Sequence, residues 1–235
     1  MFMNLAHRGA SEYSPENTFS AFYKGIEQGA NGIETDVKKT KDGILVLFHD
    51  SDISRVTNGI GKISDYNYKD LLQLDAGSHK SSIYKNEKIV SFEDFLKYFA
   101  SRELYFAIEL KDSFIEEETL QLIRKYSIEE KVTVTSFDFE NLIRVRELDR
   151  KIKIGYLCEE INNEVLDKLK TIEAYQICPS AKMLTPKKVQ KAKMEGFSIR
   201  AWGVNDEVLM LHALSCGVDG MTVNFPDKLT KALSM

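Results

Sequence analysis

Short apolar runs of strand character alternate along the chain with segments whose apolar residues recur at helical spacing. The first run spans residues 3–7, and a helical pattern follows over about 17–28, with Phe19, Phe22 and Ile26 on one face. A second run covers 32–37. From residue 91 the alternation is regular. Ser91-Phe92-Glu93-Asp94 opens a helix to about residue 100 in the manner of a capping box. Strands are predicted at 104–110, 132–136, 152–157, 174–178, 197–202 and 220–223. Helices are predicted between them at about 114–126, from Asp138 to Leu148, at 163–169, from Thr185-Pro186 to Gly196, and from Asn205 to Cys216. Phe225-Pro226 leads into a last short helix.

This makes eight strand–helix units, in a chain close to the ~250 residues typical of a TIM (β/α)8 barrel. The fold class is therefore α/β, with parallel strands and helical crossovers. No sequence repeat or linker-like stretch divides residues 1–235, so one domain is expected. The count requires an insertion of about 38–90 after strand two. Lys41-Asp42-Gly43 is a turn signal, and the apolar run 44–49 follows too soon for a crossover helix. Strand two and 44–49 should form a hairpin, with a register that sets His49 opposite Glu34 and Leu47 opposite Asp36. The rest of the insertion shows little periodicity and reads as a cover over the barrel mouth.

Composition adds exclusions. A net charge of −4 argues against a general nucleic-acid binder. No apolar run approaches the ~20 residues of a membrane span, and no secretory signal is visible, so a cytoplasmic protein is expected. Cys158, Cys178 and Cys216 have no metal-type spacing and read as buried free thiols.

The chemistry gathers where strands end. Glu34 and Asp36 alternate on one face of strand two, and Glu109 lies near the end of strand three. At an effective dielectric of about 20, each carboxylate pair ~4 Å apart repels by roughly 4 kcal/mol, so such a cluster needs a proton or a cation. Hard oxygen ligands suit Mg²⁺ or Ca²⁺. The alternative is that Glu34 and Asp36 face solvent on an edge strand. His7 and His49 should reach the same mouth, as an acid/base pair, metal ligands or structural donors. His79 and His212 read as incidental. Arg8 and Lys111 would complete an anion site, although Lys111 alone reads equally as a surface lysine. Trp202 is either core or an aromatic wall.

The ordered set His7-Arg8-Gly9, Pro15-Glu16-Asn17-Thr18, Glu34-x-Asp36, Lys41-Asp42-Gly43, His49-Asp50, Asp75-Ala76-Gly77, Ile108-Glu109-Leu110-Lys111, Ser136-Phe137, Ala201-Trp202 and Gly217-Val218-Asp219-Gly220 resembles the glycerophosphodiester phosphodiesterase family. The resemblance implies a TIM barrel with an insertion after strand two. It also implies hydrolysis of glycerophosphodiesters to an alcohol and sn-glycerol 3-phosphate. Carried over by position, Glu34, Asp36 and Glu109 are metal ligands, His7 and His49 the acid/base pair, and Arg8 and Lys111 phosphate contacts. Asn224 within Thr222-Val223-Asn224-Phe225-Pro226 and Asn86 before Glu87 depart from commoner family forms, and both are expected at the substrate rim. Two alternatives stand beside this reading. One is a lysophospholipase D-like or phospholipase C-like enzyme, which would need an apolar groove. The other is a non-catalytic phospho-ligand binder, which has no need of paired histidines. No strand-end motif pairs a Ser, Thr or Cys with a base, Ser136 included, so the expected nucleophile is the substrate's own glycerol 2-hydroxyl.

Overall fold

The computed structural model describes residues 1–234. In chain order its elements are β1 (Met3–His7), α1 (Phe19–Glu27), β2 (Gly32–Lys39), β3 (Leu45–Leu47), α2 (Tyr68–Leu71), α3 (Phe92–Phe99), β4 (Tyr105–Leu110), α4 (Glu116–Lys125) and β5 (Val132–Ser136). They continue with α5 (Phe139–Leu148), β6 (Lys153–Cys158), α6 (Asn163–Thr171), β7 (Gln176–Pro179), α7 (Pro186–Met194), β8 (Ser198–Val204), α8 (Glu207–Ser215), β9 (Gly220–Val223) and α9 (Pro226–Leu233). β1, β2 and β4 to β9 are parallel, and β1 pairs with both β2 and β9, so the sheet closes into an eight-stranded barrel. The expected TIM barrel is present.

Most of the helices begin where short polar side chains satisfy otherwise unpaired N–H groups, α2, α4 and α9 being exceptions. Thr18, Ser91, Asp138 and Thr185 each accept a backbone hydrogen bond from the first turn that follows. At α8 the cap is Asp206, which accepts from Leu209 N at 2.8 Å, and not the expected Asn205. β8 runs on to Val204, so the helix starts later, and a carboxylate at its first turn also complements the helix dipole. On the outer face of the barrel Phe22 of α1 meets Phe95 of α3 edge-on at 4.9 Å, and Phe95 meets Phe106 of β4 at 5.7 Å. Burying such rings is worth roughly 1.5–3 kcal/mol each.

Between β2 and α3 the chain leaves the barrel. Val46, Phe48, Ile53, Val56, Ile63, Leu71, Ala76 and Ile89 form a separate apolar cluster under this excursion. β3 pairs antiparallel with β2, as expected, but the register is one residue off. Val37 faces Leu47, and Phe48 N donates to Asp36 O at 3.0 Å. The turn is the cause. Thr40 N bonds Ile44 O at 3.0 Å around three residues, with Gly43 at φ +83°, and an odd loop moves the midpoint onto Asp42. His49 therefore lies beyond the ladder, where pairing does not dictate its direction.

Gly9 follows β1 at φ +82°, and a Cβ there would lie 2.4 Å from the Ala21 carbonyl carbon in α1. Gly43 has a similar φ of +83° with nothing within 4 Å. Gly43→Ala should cost about 1 kcal/mol from backbone strain alone. Gly9→Ala should cost about 3 kcal/mol or more, because overpacking adds to strain. Urea midpoints measure both, and equal losses would show that α1 does not press on Gly9.

Candidate active site

The barrel register carries the acidic residues to one end. Alternation along β2 turns Ile33 and Val37 toward the helices and Glu34 and Asp36 toward the interior. Glu34 pairs across to His7 of β1, and Asp36 pairs across to Glu109 of β4. Glu34, Asp36 and Glu109 are all buried, and one carboxylate oxygen from each lies within 4.8 Å of the others. The solvent-facing alternative for Glu34 and Asp36 is thereby excluded.

Asp36 is fully buried, and its partners come from three segments. Arg8 Nε stands 3.1 Å from Oδ2, Asn17 Nδ2 donates to the same oxygen at 3.1 Å, and Lys111 Nζ lies 3.3 Å from Oδ1. Lys111 also reaches Glu109 at 2.5 Å. It is a half-buried cation of the site and not a surface lysine. Burial alone would raise the Asp36 carboxyl, but Arg8 and Lys111 outweigh it and hold Asp36 below the ordinary carboxylate range. At Glu34 the pull of Arg8 and Arg200 does not outweigh burial. Its burial, with Asp36 and Glu109 adding repulsion, pushes it up to about 8. Burial and Asp36 raise Glu109 to about 7, against the pull of Lys111.

Whether these residues fit a cation follows from their free lone pairs. Asp36 Oδ1 is buried and accepts no aligned hydrogen bond, despite the nearby Lys111 ammonium. The nearest donors to Glu34 Oε2 are the Arg8 amide at 3.3 Å and His7 Nε2 at 3.9 Å. Three hard oxygen donors with unfilled acceptor capacity suit a divalent ion.

Both histidines line the same cavity, about 200 Å³ in volume. His7 Nδ1 donates to Asn224 Oδ1 at 2.6 Å, and His49 Nδ1 donates to Asp50 Oδ1 at 2.6 Å. In each ring the other nitrogen, Nε2, is left for chemistry. Burial lowers the His7 imidazole, and Arg8 lowers it further. His49 is lowered by burial, with Arg8 and Lys111 acting against the pull of Asp36. His79 and His212 lie outside the cavity lining.

Trp202 donates from Nε1 to Cys158 O at 3.0 Å, and its ring meets Phe137 edge-on at 5.0 Å, so it is a cavity wall. Several cavity residues were not anticipated. Arg200 lines the floor, with Thr222, Asn224 and Leu157 around it. Beyond the cavity edge Arg55 of the insertion bridges two carboxylates. It donates to Glu16 at 2.7 and 2.8 Å and to Asp50 through Nε. Glu16 in turn accepts from Arg8 at 3.0 Å. Of the two sequence departures expected at the substrate rim, Asn224 lines the cavity and Asn86 does not. Asn224 holds a site histidine. Asn86 sits at φ 71°, where asparagine substitutes for glycine, next to a Glu87 that bonds Ser20 of α1 away from the cavity.

Fold and site together define a TIM barrel with a buried acidic triad that could hold a metal, and two cations beside it, at the C-terminal mouth of its strands. The chain belongs to the glycerophosphoryl diester phosphodiesterase family, whose model matches residues 7–228. It is 33% identical over 230 residues to a glycerophosphodiester phosphodiesterase of Caldanaerobacter subterraneus subsp. tengcongensis, covering 96% of this chain and 95% of that one. It is 35% identical over 238 residues to the glycerophosphodiester phosphodiesterase of Bacillus altitudinis, covering 97% and 96%. Among solved structures, an Oleispira antarctica phosphodiesterase in complex with the product sn-glycerol-3-phosphate superposes with a TM-score of 0.90 at 28% identity, covering 98% of this chain and 96% of that one. Among the described residues no helix is long and apolar enough to cross a membrane.

The raised carboxyls give the metal-free fold a pH dependence. The fold favours the neutral form of Glu34, so its contribution is intact at low pH and lost as pH climbs from about 4.5 through about 8. With metal chelated, thermal stability should fall over that window. Glu34→Gln should flatten the fall and raise the melting temperature at its alkaline end. Asp36→Asn should also flatten the fall, because it removes the repulsion that raises Glu34 and Glu109, but it should lower the melting temperature, at a cost of about 3 kcal/mol, because it takes the shared carboxylate from Arg8 and Lys111. Melting curves in chelator across the window report both signs, and an unchanged slope in Glu34→Gln would remove Glu34 as the cause.

Proposed function

We propose that this chain is a metal-dependent hydrolase of glycerophosphodiesters, releasing an alcohol and sn-glycerol 3-phosphate, with His7 and His49 as its acid/base pair. The observation that carries the reading is the cavity itself. It brings together two imidazoles with Nδ1 occupied and Nε2 free, three buried carboxylates, and the cations Arg8 and Lys111. A volume of about 200 Å³ suits a glycerol phosphate unit better than an acyl chain, which disfavours the lysolipid alternatives. A non-catalytic binder has no use for two imidazoles in matched tautomers. The single barrel domain, the insertion over 38–90 and a cytoplasmic location belong to the same proposal, the last supported by three buried free cysteines.

A divalent ion on Glu34, Asp36 and Glu109, Mg²⁺ or Ca²⁺, supplies electrostatic stabilisation to the phosphoryl oxygens. The chain's own residues do the rest. Arg8 and Lys111 draw the phosphodiester anion to the mouth, and Trp202 with Phe137 flanks the glycerol. The glycerol 2-hydroxyl attacks phosphorus and gives up its proton to one imidazole. The bond from phosphorus to the leaving alkoxide breaks, and that oxygen takes a proton from the other imidazole. Water then opens the cyclic phosphate. Such intramolecular attack is worth roughly 7–11 kcal/mol over a bimolecular step. The roles divide by partner. His7 is tied to a neutral amide and held low, which suits a base. His49 is lowered too, but it is tied to a carboxylate that favours imidazolium more than the Asn224 amide does, which makes it the better acid of the two.

Glycerol 3-phosphate release from a panel of glycerophosphodiesters, with and without chelator, tests the activity. Chelation should abolish turnover, and full turnover in its presence would end the metal reading. A 2-deoxyglycerol analogue in the same panel should be inert, and turnover near the natural rate would leave water as the nucleophile.

His7→Ala and His49→Ala should each lower kcat on a choline ester by about 10² or more. On a p-nitrophenyl ester, whose leaving group needs no proton, His49→Ala should recover most of its rate and His7→Ala should not. Equal losses on both esters would overturn the division of roles.

A further inference from the structure

Beneath the carboxylate cluster lies a cation that the mechanism above does not use. Arg200 sits mid-strand in β8, 1% exposed, in the barrel interior. That interior is ordinarily packed with Val, Ile and Leu, so the fold does not demand a charge there. Its three hydrogen-bond partners are neutral. Nε donates to Gln176 Oε1 at 2.9 Å, Nη1 to Thr222 Oγ1, and Nη2 to Cys178 Sγ at 3.3 Å. Burial raises the Cys178 thiol, so its sulfur brings no charge. A buried guanidinium held only by neutral groups retains its full field and needs a compensating charge close by. The compensating charge is overhead, because Arg200, Glu34 and Glu109 line one cavity.

We propose that Arg200 is a fixed counter-charge under Glu34, Asp36 and Glu109 that weakens the site's hold on its divalent cation. This rests on the metal reading above. Three carboxylates offer more negative charge than one divalent ion requires. Arg8 and Lys111 answer part of the excess through direct contact with Asp36. Arg200 answers more of it from below and repels the incoming ion. It thereby leaves the loaded site net positive for an anionic diester.

Calorimetric titration of the purified chain with Mg²⁺ and with Ca²⁺ tests this. Two variants remove the charge by different routes. Arg200→Gln deletes it, and Gln176→Glu leaves Arg200 in place but pairs it with a carboxylate. Both should bind the ions more tightly, on the order of tenfold. Arg200→Lys keeps the charge and should stay within about twofold of the parent. A merely structural role for Arg200 predicts the opposite sign, since a loosened site binds more weakly. Unchanged or weaker affinity in whichever neutralised variant folds would overturn the proposal. A parent chain that binds neither ion would instead overturn the metal reading, so the two failures are told apart by the parent's own titration.

Discussion

The mouth of this barrel depends on how one buried charge, Asp36, is balanced. A fully buried carboxylate without partners is costly enough that the surrounding chain must answer it. Arg8, Asn17 and Lys111 do so from three separate segments. The answer is built at some expense in backbone geometry. Arg8 sits at φ 55° and Asn17 at φ 56°, in the left-handed region. For arginine that conformation costs roughly 1–2 kcal/mol. It persists because both ends of Arg8 are pinned, its amide to Glu34 O at 2.9 Å and its carbonyl to the Asn17 amide at 2.9 Å. The His-Arg-Gly and Pro-Glu-Asn-Thr segments are thus two halves of one charge-balancing device.

The same logic ties the insertion to the chemistry. His49 is beyond the β2–β3 ladder, so strand pairing cannot aim it. Asp50 aims it instead, Arg55 holds Asp50, and Arg55 is held by Glu16, which also grips Arg8. The path from one histidine to the arginine beside Asp36 therefore runs through a residue of the insertion. The apolar cluster under the insertion keeps that path in place. The excursion is a structural support for His49.

Much of this was readable along the chain, where the signal is local. The strands at Val132–Ser136 and Gly220–Val223 and the caps at Thr18, Ser91, Asp138 and Thr185 follow from runs of a few residues. The acidic triad and Arg8 stood out because chemistry-bearing types cluster at strand ends. What escaped was set at long range. The hairpin slipped by one residue because the turn holds three residues and not two. Asn224 stood out only as a departure in its motif, and Arg55 not at all, because their partners, His7 and Glu16, lie 217 and 39 positions away. Arg200 did carry a signal: Ser198, Arg200 and Trp202 alternate on one face of a strand. An arginine inside such a run marks an inward charge.

The raised carboxyls explain how the barrel tolerates the cluster before a cation arrives. Glu34 near 8 and Glu109 near 7 mean that around neutral pH the fold keeps protons where a divalent ion would sit. Asp36, clamped by Arg8 and Lys111, stays ionised, while Glu109 beside Lys111 is about half ionised there. On the proposed metal reading the site would be charged in steps, one carboxylate held open by fixed cations and the others released as the ion displaced their protons. Ion and proton compete for the same oxygens, and the cations around them set the terms. Arg8 and Lys111 act by contact, and their removal strands or frees Asp36. Arg200 acts through space from a neutral pocket and shifts the whole balance without touching an oxygen. A barrel floor of Val or Leu would pack as well and leave the acid cluster bare. The guanidinium gives the mouth a positive offset that the substrate's phosphate, and not the metal, is placed to answer.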